Sequence, residues 1–77
     1  MGIIANILEN ARGGVNKTKL MYSSNLSFQH FNSYLEFLLE RKLLNTIEYG
    51  RQIHIKTTRK GIEFLGLYRR IERIINK

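Results

Sequence analysis

The sequence predicts a small α+β fold that is mainly helical, with three helices, a β-hairpin and a long C-terminal helix. Apolar residues recur at helical spacing in several segments, and one later segment alternates apolar and polar residues as a half-buried strand does. Residues that favour turns and helix caps (Gly, Asn, Ser and Thr) stand between these segments. The 77 residues make one domain at most, which we predict to span residues 1–77.

Two helices are predicted in the N-terminal third of the chain. Gly13-Gly14 ends the first helix, because glycine tolerates the left-handed conformation found at helix ends. Asn16 is a good N-cap for a short second helix that ends near Ser23. The residues predicted to face the core are Ile3, Ile4, Ile7, Leu8 and Ala11 in the first helix, and Leu20 and Met21 in the second.

A third, longer helix is predicted from Phe28 to about Lys42. The preceding Ser24-Asn25-Leu26 is predicted to form a tight turn, and Ser27 to cap the new helix. One apolar stripe runs along it, made of Phe28, Phe31, Leu35 and Leu38 and broadened by Tyr34, Phe37 and Leu39. Two helices joined by a short turn, the second one longer, form the outline of a helix-turn-helix.

A change of period then indicates a β-hairpin around Gly50-Arg51. Its apolar residues are Ile47, Tyr49, Ile53 and Ile55. If these share one buried face, a two-residue loop does not fit, because it would pair Ile47 with His54. We therefore predict a three-residue loop, Gly50-Arg51-Gln52, which pairs Tyr49 with Ile53, Ile47 with Ile55 and Glu48 with His54.

The last helix is predicted to begin after a cap at Thr57 or Thr58 and to run to the end of the chain. Phe64, Tyr68, Ile71 and Ile75 are spaced four, three and four, which is a heptad seam. A domain this small has a marginal core, and without cysteine it has no disulfide to stabilise it. We therefore expect residues 59–77 to form a dimerisation helix, with an interface made of Phe64, Leu67, Tyr68, Ile71, Ile74 and Ile75.

The charge balance indicates a polyanionic partner. The chain carries 13 Lys and Arg against six acidic residues, a net charge of +7. Residues 1–38 contribute +1 and residues 39–77 contribute +6. Such an excess points to nucleic acid first and to an anionic membrane surface second.

Helix-turn-helix followed at once by a hairpin is the winged variant of that motif. The run from Gly13 to Tyr22 resembles the start of the second helix in small archaeal winged-helix proteins. These are predicted transcriptional regulators and include short chromatin-type DNA-binding dimers. The similarity continues through residues 25–27, 34–40 and 58–61. It implies a winged helix-turn-helix fold, binding of double-stranded DNA by the third helix and the hairpin, and a homodimer built from the C-terminal helices.

Within that fold, the candidate DNA contacts fall into three groups. A recognition helix reads base edges with residues near its N-terminus, while other groups hold phosphates. The predicted base-reading residues are Ser27, Gln29, His30, Asn32 and Ser33. The predicted phosphate contacts are Asn16, Lys17, Thr18 and Lys19. In the hairpin, Arg51 at the tip is predicted to reach a minor groove or its phosphates. Lys56, further along the second strand, is predicted to contact the flanking DNA backbone.

Three alternatives stay open beside a sequence-reading or architectural DNA-binding protein. The same fold could be a protein-interaction module with an acidic partner, although such a surface should expose more aromatic or aliphatic anchors on the third helix. A membrane-surface role for the last helix would need its apolar seam exposed to lipid. Each polar residue of the third helix could also be ordinary solvated surface.

No enzyme, cofactor, metal site or small-molecule substrate is expected. The chain lacks Asp and Cys, which removes Asp-oriented triads, Cys–His nucleophiles and thiolate zinc sites, and its only imidazoles are His30 and His54. No apolar run approaches the roughly 18 residues of a membrane span. We expect a cytoplasmic, nucleoid-associated protein involved in transcription regulation.

Overall fold

A computed structural model describes residues 2–76 and contains seven elements. In chain order these are α1 (Gly2–Asn10), β1 (Val15–Asn16), α2 (Lys17–Ser24), α3 (Phe28–Glu40), β2 (Leu44–Tyr49), β3 (Gln52–Thr57) and α4 (Arg59–Ile75). The predicted fold class and element order are confirmed. Met1 and Lys77, the two ends of the predicted domain and the last residue of the predicted dimerisation helix, lie outside the described residues.

Capping side chains determine where three of the helices begin, as predicted. The side-chain oxygen of Asn16 accepts the Lys19 N–H at 2.8 Å, and that of Ser27 accepts the His30 N–H at 3.2 Å. Thr58, rather than Thr57, caps α4 by accepting the Gly61 N–H at 3.1 Å. Each bond satisfies a backbone donor that the first helical turn leaves unpaired, and its loss costs about 1 kcal/mol.

The turn between α2 and α3 is short because one residue adopts a left-handed conformation. Asn25 has φ 60° and donates its N–H to the Tyr22 carbonyl, a conformation that asparagine tolerates better than most residues. The Ser24 hydroxyl accepts the Leu26 N–H at 3.3 Å and donates to the Met21 carbonyl at 2.6 Å. These bonds hold α3 at a defined angle to α2.

The sheet has three antiparallel strands in the order β1-β3-β2. The sequence analysis missed β1, whose two residues are too few to show any alternation. Val15 pairs with Ile55 and Asn16 with His54. Because Asn16 also caps α2, this pairing places the N-terminus of α2 beside β3, the central strand of the sheet.

The predicted hairpin register is wrong. The loop has two residues, Gly50-Arg51, so Tyr49 pairs with Gln52, Glu48 with Ile53 and Ile47 with His54. The prediction assumed one buried apolar face, yet Tyr49 is 70% and Ile53 62% exposed, because this end of the hairpin extends beyond the core. The geometry of the turn decides the register instead. Gly50 has φ 65° and Arg51 is not left-handed, which suits a two-residue loop of type II′.

The core lies between α1, α2, α3 and the base of the hairpin. Its largest fully buried side chains are Phe31, Ile7, Leu8, Leu20, Leu38 and Leu44. Three residues predicted to face the core in the helices lie outside it: Ile3 is 40%, Phe37 41% and Phe28 65% exposed. Phe28 is the first residue of α3, one turn before Phe31, so its ring extends past the end of the core.

The C-terminal part of α4 projects from the domain. The side chain of Leu65 is buried, whereas residues 69–76 are all exposed, and the molecule measures 45 × 26 × 19 Å. None of the described helices is long and apolar enough to cross a membrane.

Candidate nucleic-acid interface

The N-terminal ends of α2 and α3 lie on the same side of the molecule, where Lys17 Nζ is 5.8 Å from the centre of the Phe28 ring. Lys17, Thr18 and Lys19 form the exposed first turn of α2. Of the residues predicted to read bases, Ser27, Gln29, His30 and Ser33 are exposed and Asn32 is half-buried. The structure therefore brings the predicted phosphate contacts of α2 close to the start of the predicted reading helix.

Some polar side chains of this surface are already used in hydrogen bonds within the chain, whereas others are available to bind a ligand. The Ser27 oxygen accepts the His30 N–H, and the Ser33 hydroxyl donates to the Gln29 carbonyl at 3.2 Å. Within residues 2–76, the side chains of Gln29 and His30 make no hydrogen bond. A glutamine amide can bond adenine in a bidentate way. Gln29 and His30 are therefore the side chains of this face best able to form hydrogen bonds with the edge of a base.

The wing, defined here as the β2–β3 hairpin (residues 44–57), places Arg51 at its exposed tip. Lys56 is also exposed. Near the tip, the rings of Tyr49 and His54 stack with their centres 5.3 Å apart and 6° between planes. His54 thus contacts Tyr49 and pairs with Ile47, instead of facing Glu48 as the incorrect register implied.

A groove of about 670 Å³ separates α2 from the wing. Residues from both sides line it: Asn16, Lys17, Thr18, Lys19, Tyr22, Gln52 and Ile53. Among the described residues, this lining includes two lysines and no carboxylate. Four predicted phosphate contacts therefore meet the wing across one basic groove.

A family model described as winged helix-turn-helix matches residues 1–76. The chain belongs to the winged helix-turn-helix family. No curated protein matches the chain. Membership of this family indicates a DNA-binding regulator in general.

Two aromatic residues of this winged helix-turn-helix surface were missed by the sequence analysis. Tyr22, which was not among the candidate DNA contacts, is 73% exposed, and Phe28, predicted to face the core, is 65% exposed. Tyr22 could have been found from helical periodicity. It stands two residues after the buried Leu20, and a 200° rotation puts it on the opposite side of α2. Nothing in the local pattern marks Phe28, because its spacing to Phe31 matches that of a core residue.

An ion pair attaches α4 of the winged helix-turn-helix domain to α1. The Glu9 carboxylate accepts from Arg69, 60 residues further along the chain, and from Arg12 at 3.3 Å. Desolvation raises the pKa of Glu9, but the hydrogen bonds and charges of the two arginines outweigh it and hold the pKa below its usual value. The carboxylate therefore stays ionised at neutral pH and helps to orient α4.

The residues predicted to form a dimer interface divide into two sets. Phe64 and Tyr68 are half-buried against the core of their own domain. Desolvation, and after it the neighbouring Glu72 carboxylate, raises the pKa of the Tyr68 hydroxyl. The remaining four are exposed: Leu67, Ile71, Ile74 and Ile75. The apolar surface of α4 that the domain leaves uncovered thus lies in the second half of the helix.

Proposed function

We propose that this chain is a double-stranded DNA-binding protein that regulates transcription or organises DNA and has no catalytic role. In this proposal α3 enters the major groove by its N-terminal end. The tip of the wing contacts the adjacent minor groove or its backbone. Phosphates are held by the first turn of α2 and by Lys56.

One observation carries the proposal: exposed polar side chains at the start of α3 lie beside the basic first turn of α2. Gln29 and His30 present free polar groups at the start of α3, with Lys17 and Lys19 on one element and Arg51 on another. The stretch of chain between Glu9 and Glu36 contains no acidic residue at all. Phosphates bound by the cations would position the protein, while the Gln29 and His30 side chains would discriminate between bases.

We propose further that the protein binds DNA as a homodimer through the second half of α4. Ile74 and Ile75, 78% and 72% exposed, follow Ile71 on this projecting segment, and a second copy of the same seam would cover all three. A two-fold dimer of this kind would present two α3 helices to successive major grooves, about 34 Å apart.

Fluorescence anisotropy with a mixed-sequence duplex at several salt concentrations tests the DNA-binding proposal. Affinity should be micromolar or tighter at low salt and fall steeply as salt rises, because bound phosphates release counterions. Arg51→Ala should weaken binding and reduce the salt slope by about one.

Arg41→Ala is the matched control, since Arg41 is exposed at the opposite end of α3 and its loss lowers the net charge equally. Equal slopes for Arg51→Ala and wild type would remove Arg51 from the interface. No binding at low salt by the folded wild type would refute DNA as the partner.

The exposure of Tyr22 and Phe28 favours one second candidate, a winged-helix module that binds an acidic protein. Exposed aromatic residues are frequent anchors of protein interfaces. This candidate predicts that the folded protein fails to bind duplex DNA at low salt and is retained by an acidic polypeptide.

A further inference from the structure

Two aromatic rings lie exposed beside the residues proposed to contact DNA. Tyr22 on α2 and Phe28 at the start of α3 are 73% and 65% exposed. Aromatic rings of this size normally contribute to a core or an interface, yet most of the surface of both residues is exposed to solvent here. Their exposure beside the proposed DNA contacts indicates a ligand with flat apolar surfaces.

Each of these rings has a lysine next to it. Lys17 Nζ lies 5.8 Å from the centre of the Phe28 ring. Lys19 and Tyr22 are three residues apart on α2 and line the same groove. Rings that alternate with cations are the pattern by which proteins bind single-stranded nucleic acid, since bases stack on the rings and phosphates pair with the cations.

The groove between α2 and the wing contains one of the two rings, Tyr22, while Phe28 lies outside its lining, next to Lys17. Its volume is about 670 Å³, and its opposite wall is formed by Gln52 and Ile53. Ile53 is 62% exposed and adds apolar surface. Across the wing, Ile53 pairs with Glu48, whose carboxylate is not among the described groups lining the groove.

Duplex DNA cannot use these rings in the same way. In a duplex the faces of the bases are stacked on each other, so only base edges and the sugar-phosphate backbone are accessible. An unpaired strand exposes its base faces. Tyr49 is less suited to this role, because one face of its ring is already covered by His54.

We propose that the surface formed by Lys17, Lys19, Tyr22 and Phe28 also binds single-stranded DNA, with unpaired bases stacked on the two rings. This rests on the proposed DNA-binding function and extends it to unpaired strands. An acidic protein is the less favoured occupant. The two rings are individually flanked by cations and spread over two helices, whereas protein anchors cluster in one apolar centre.

The test compares anisotropy titrations with a single-stranded thymidine oligonucleotide and with a hairpin duplex, using the full chain. Tyr22→Ala and Phe28→Ala should each weaken binding of the single strand by about 5- to 150-fold, the range of stacking losses on alanine substitution. Duplex affinity should fall by a clearly smaller factor, because a duplex does not expose its base faces to the rings. Phe28→Leu keeps the apolar volume without the aromatic face and should lose affinity for the single strand as well.

Phe37→Ala is the matched control, because Phe37 is also exposed on α3 and has Arg41 4.7 Å from the centre of its ring, but it lies beside Ile4 and Tyr34 and does not line the groove between α2 and the wing. It should leave both affinities unchanged. A 5-iodouracil label in the single strand should cross-link to Tyr22 or Phe28 on irradiation.

The outcomes separate the two proposals. Wild-type binding to duplex but not to the single strand overturns the stacking proposal and leaves the proposed function intact. Single-strand binding that Phe37→Ala weakens as much as Phe28→Ala also overturns it. Binding to neither DNA form, with retention on an acidic polypeptide, overturns both proposals. Loss of single-strand affinity confined to Tyr22 and Phe28 variants, with labelled peptides from the same residues, supports stacking.

Discussion

Gly61→Ala should destabilise this protein although it places a good helix former in the first turns of α4. Gly61 is buried where α4 crosses the base of the wing. A Cβ atom added there would meet the Leu43 carbonyl oxygen and the Thr57 methyl group well under 3.0 Å, closer than real Cβ contacts come. The absence of a side chain is therefore what allows α4 to pack directly against the backbone.

Neither neighbouring group can move away easily. The Leu43 carbonyl accepts the Thr58 N–H at 3.1 Å. The Thr57 hydroxyl donates to the Leu8 carbonyl at 2.5 Å in a buried site. Overpacking of this kind costs about 1–3 kcal/mol, and a weakened Thr58–Leu43 hydrogen bond adds about 0.5–1.5 kcal/mol. The better helix propensity of alanine offsets about 0.5–1 kcal/mol. The free energy of unfolding should therefore fall by about 2 kcal/mol.

Urea unfolding followed by circular dichroism, at one protein concentration for all variants, measures this difference. Gly66→Ala is the matched control. Gly66 lies five residues further along α4, is exposed and has nothing within 4 Å of an added Cβ. It should raise the free energy of unfolding by about 0.5–1 kcal/mol. If Gly61→Ala were as stable as Gly66→Ala, the close contact between α4 and the wing would not exist as described.

Three further predictions concern the assembly, the core and the response to acid. Ile71→Glu puts a charge in the exposed seam of α4 and should halve the mass measured by light scattering; an unchanged mass would contradict a dimer built on this helix. Thr57→Val should lower the free energy of unfolding by about 1–2 kcal/mol, because the buried Leu8 carbonyl loses its bond from the hydroxyl; urea unfolding that matches wild type would show the bond to be dispensable. Since the pKa of Glu9 is lowered on folding, its ion pair with Arg69 stabilises the protein above pH 4.5, the usual pKa of the group, and this contribution disappears as pH falls through the lowered value. The stability difference between wild type and Glu9→Gln should therefore shrink on acidification, and a difference that grows would refute this assignment.

Most of the fold could be predicted from local signals. Asn16, Ser27 and Thr58 bond to backbone groups only three residues away, so helix starts are encoded within a few residues of sequence. The residues of the buried stripes on α1 and α3, such as Leu8 and Leu35, follow from helical periodicity. The exposed cations of the candidate site were predicted for the same reason, because Lys17 and Lys19 closely follow a recognisable cap.

The rest of the candidate site depended on where the core ends. Phe28 has the spacing of a core residue but lies beyond the last turn that other elements cover. The wing register was predicted wrongly for the same reason, since Tyr49 and Ile53 alternate as though one face were buried. Periodicity indicates which residues share a face, but it does not indicate whether anything covers that face.

The sequence by itself determined the order of the elements, their caps, the basic charge and the polar edge of α3, because each depends on neighbours close in the chain. Only the tertiary structure decided the exposure of the wing tip, the short strand that places α2 beside the wing, and the exposure of Tyr22 and Phe28. These features depend on contacts between distant segments and on how far a small core extends. The groove proposed to bind DNA is of this second kind, since its two walls come from residues at least 30 positions apart along the chain.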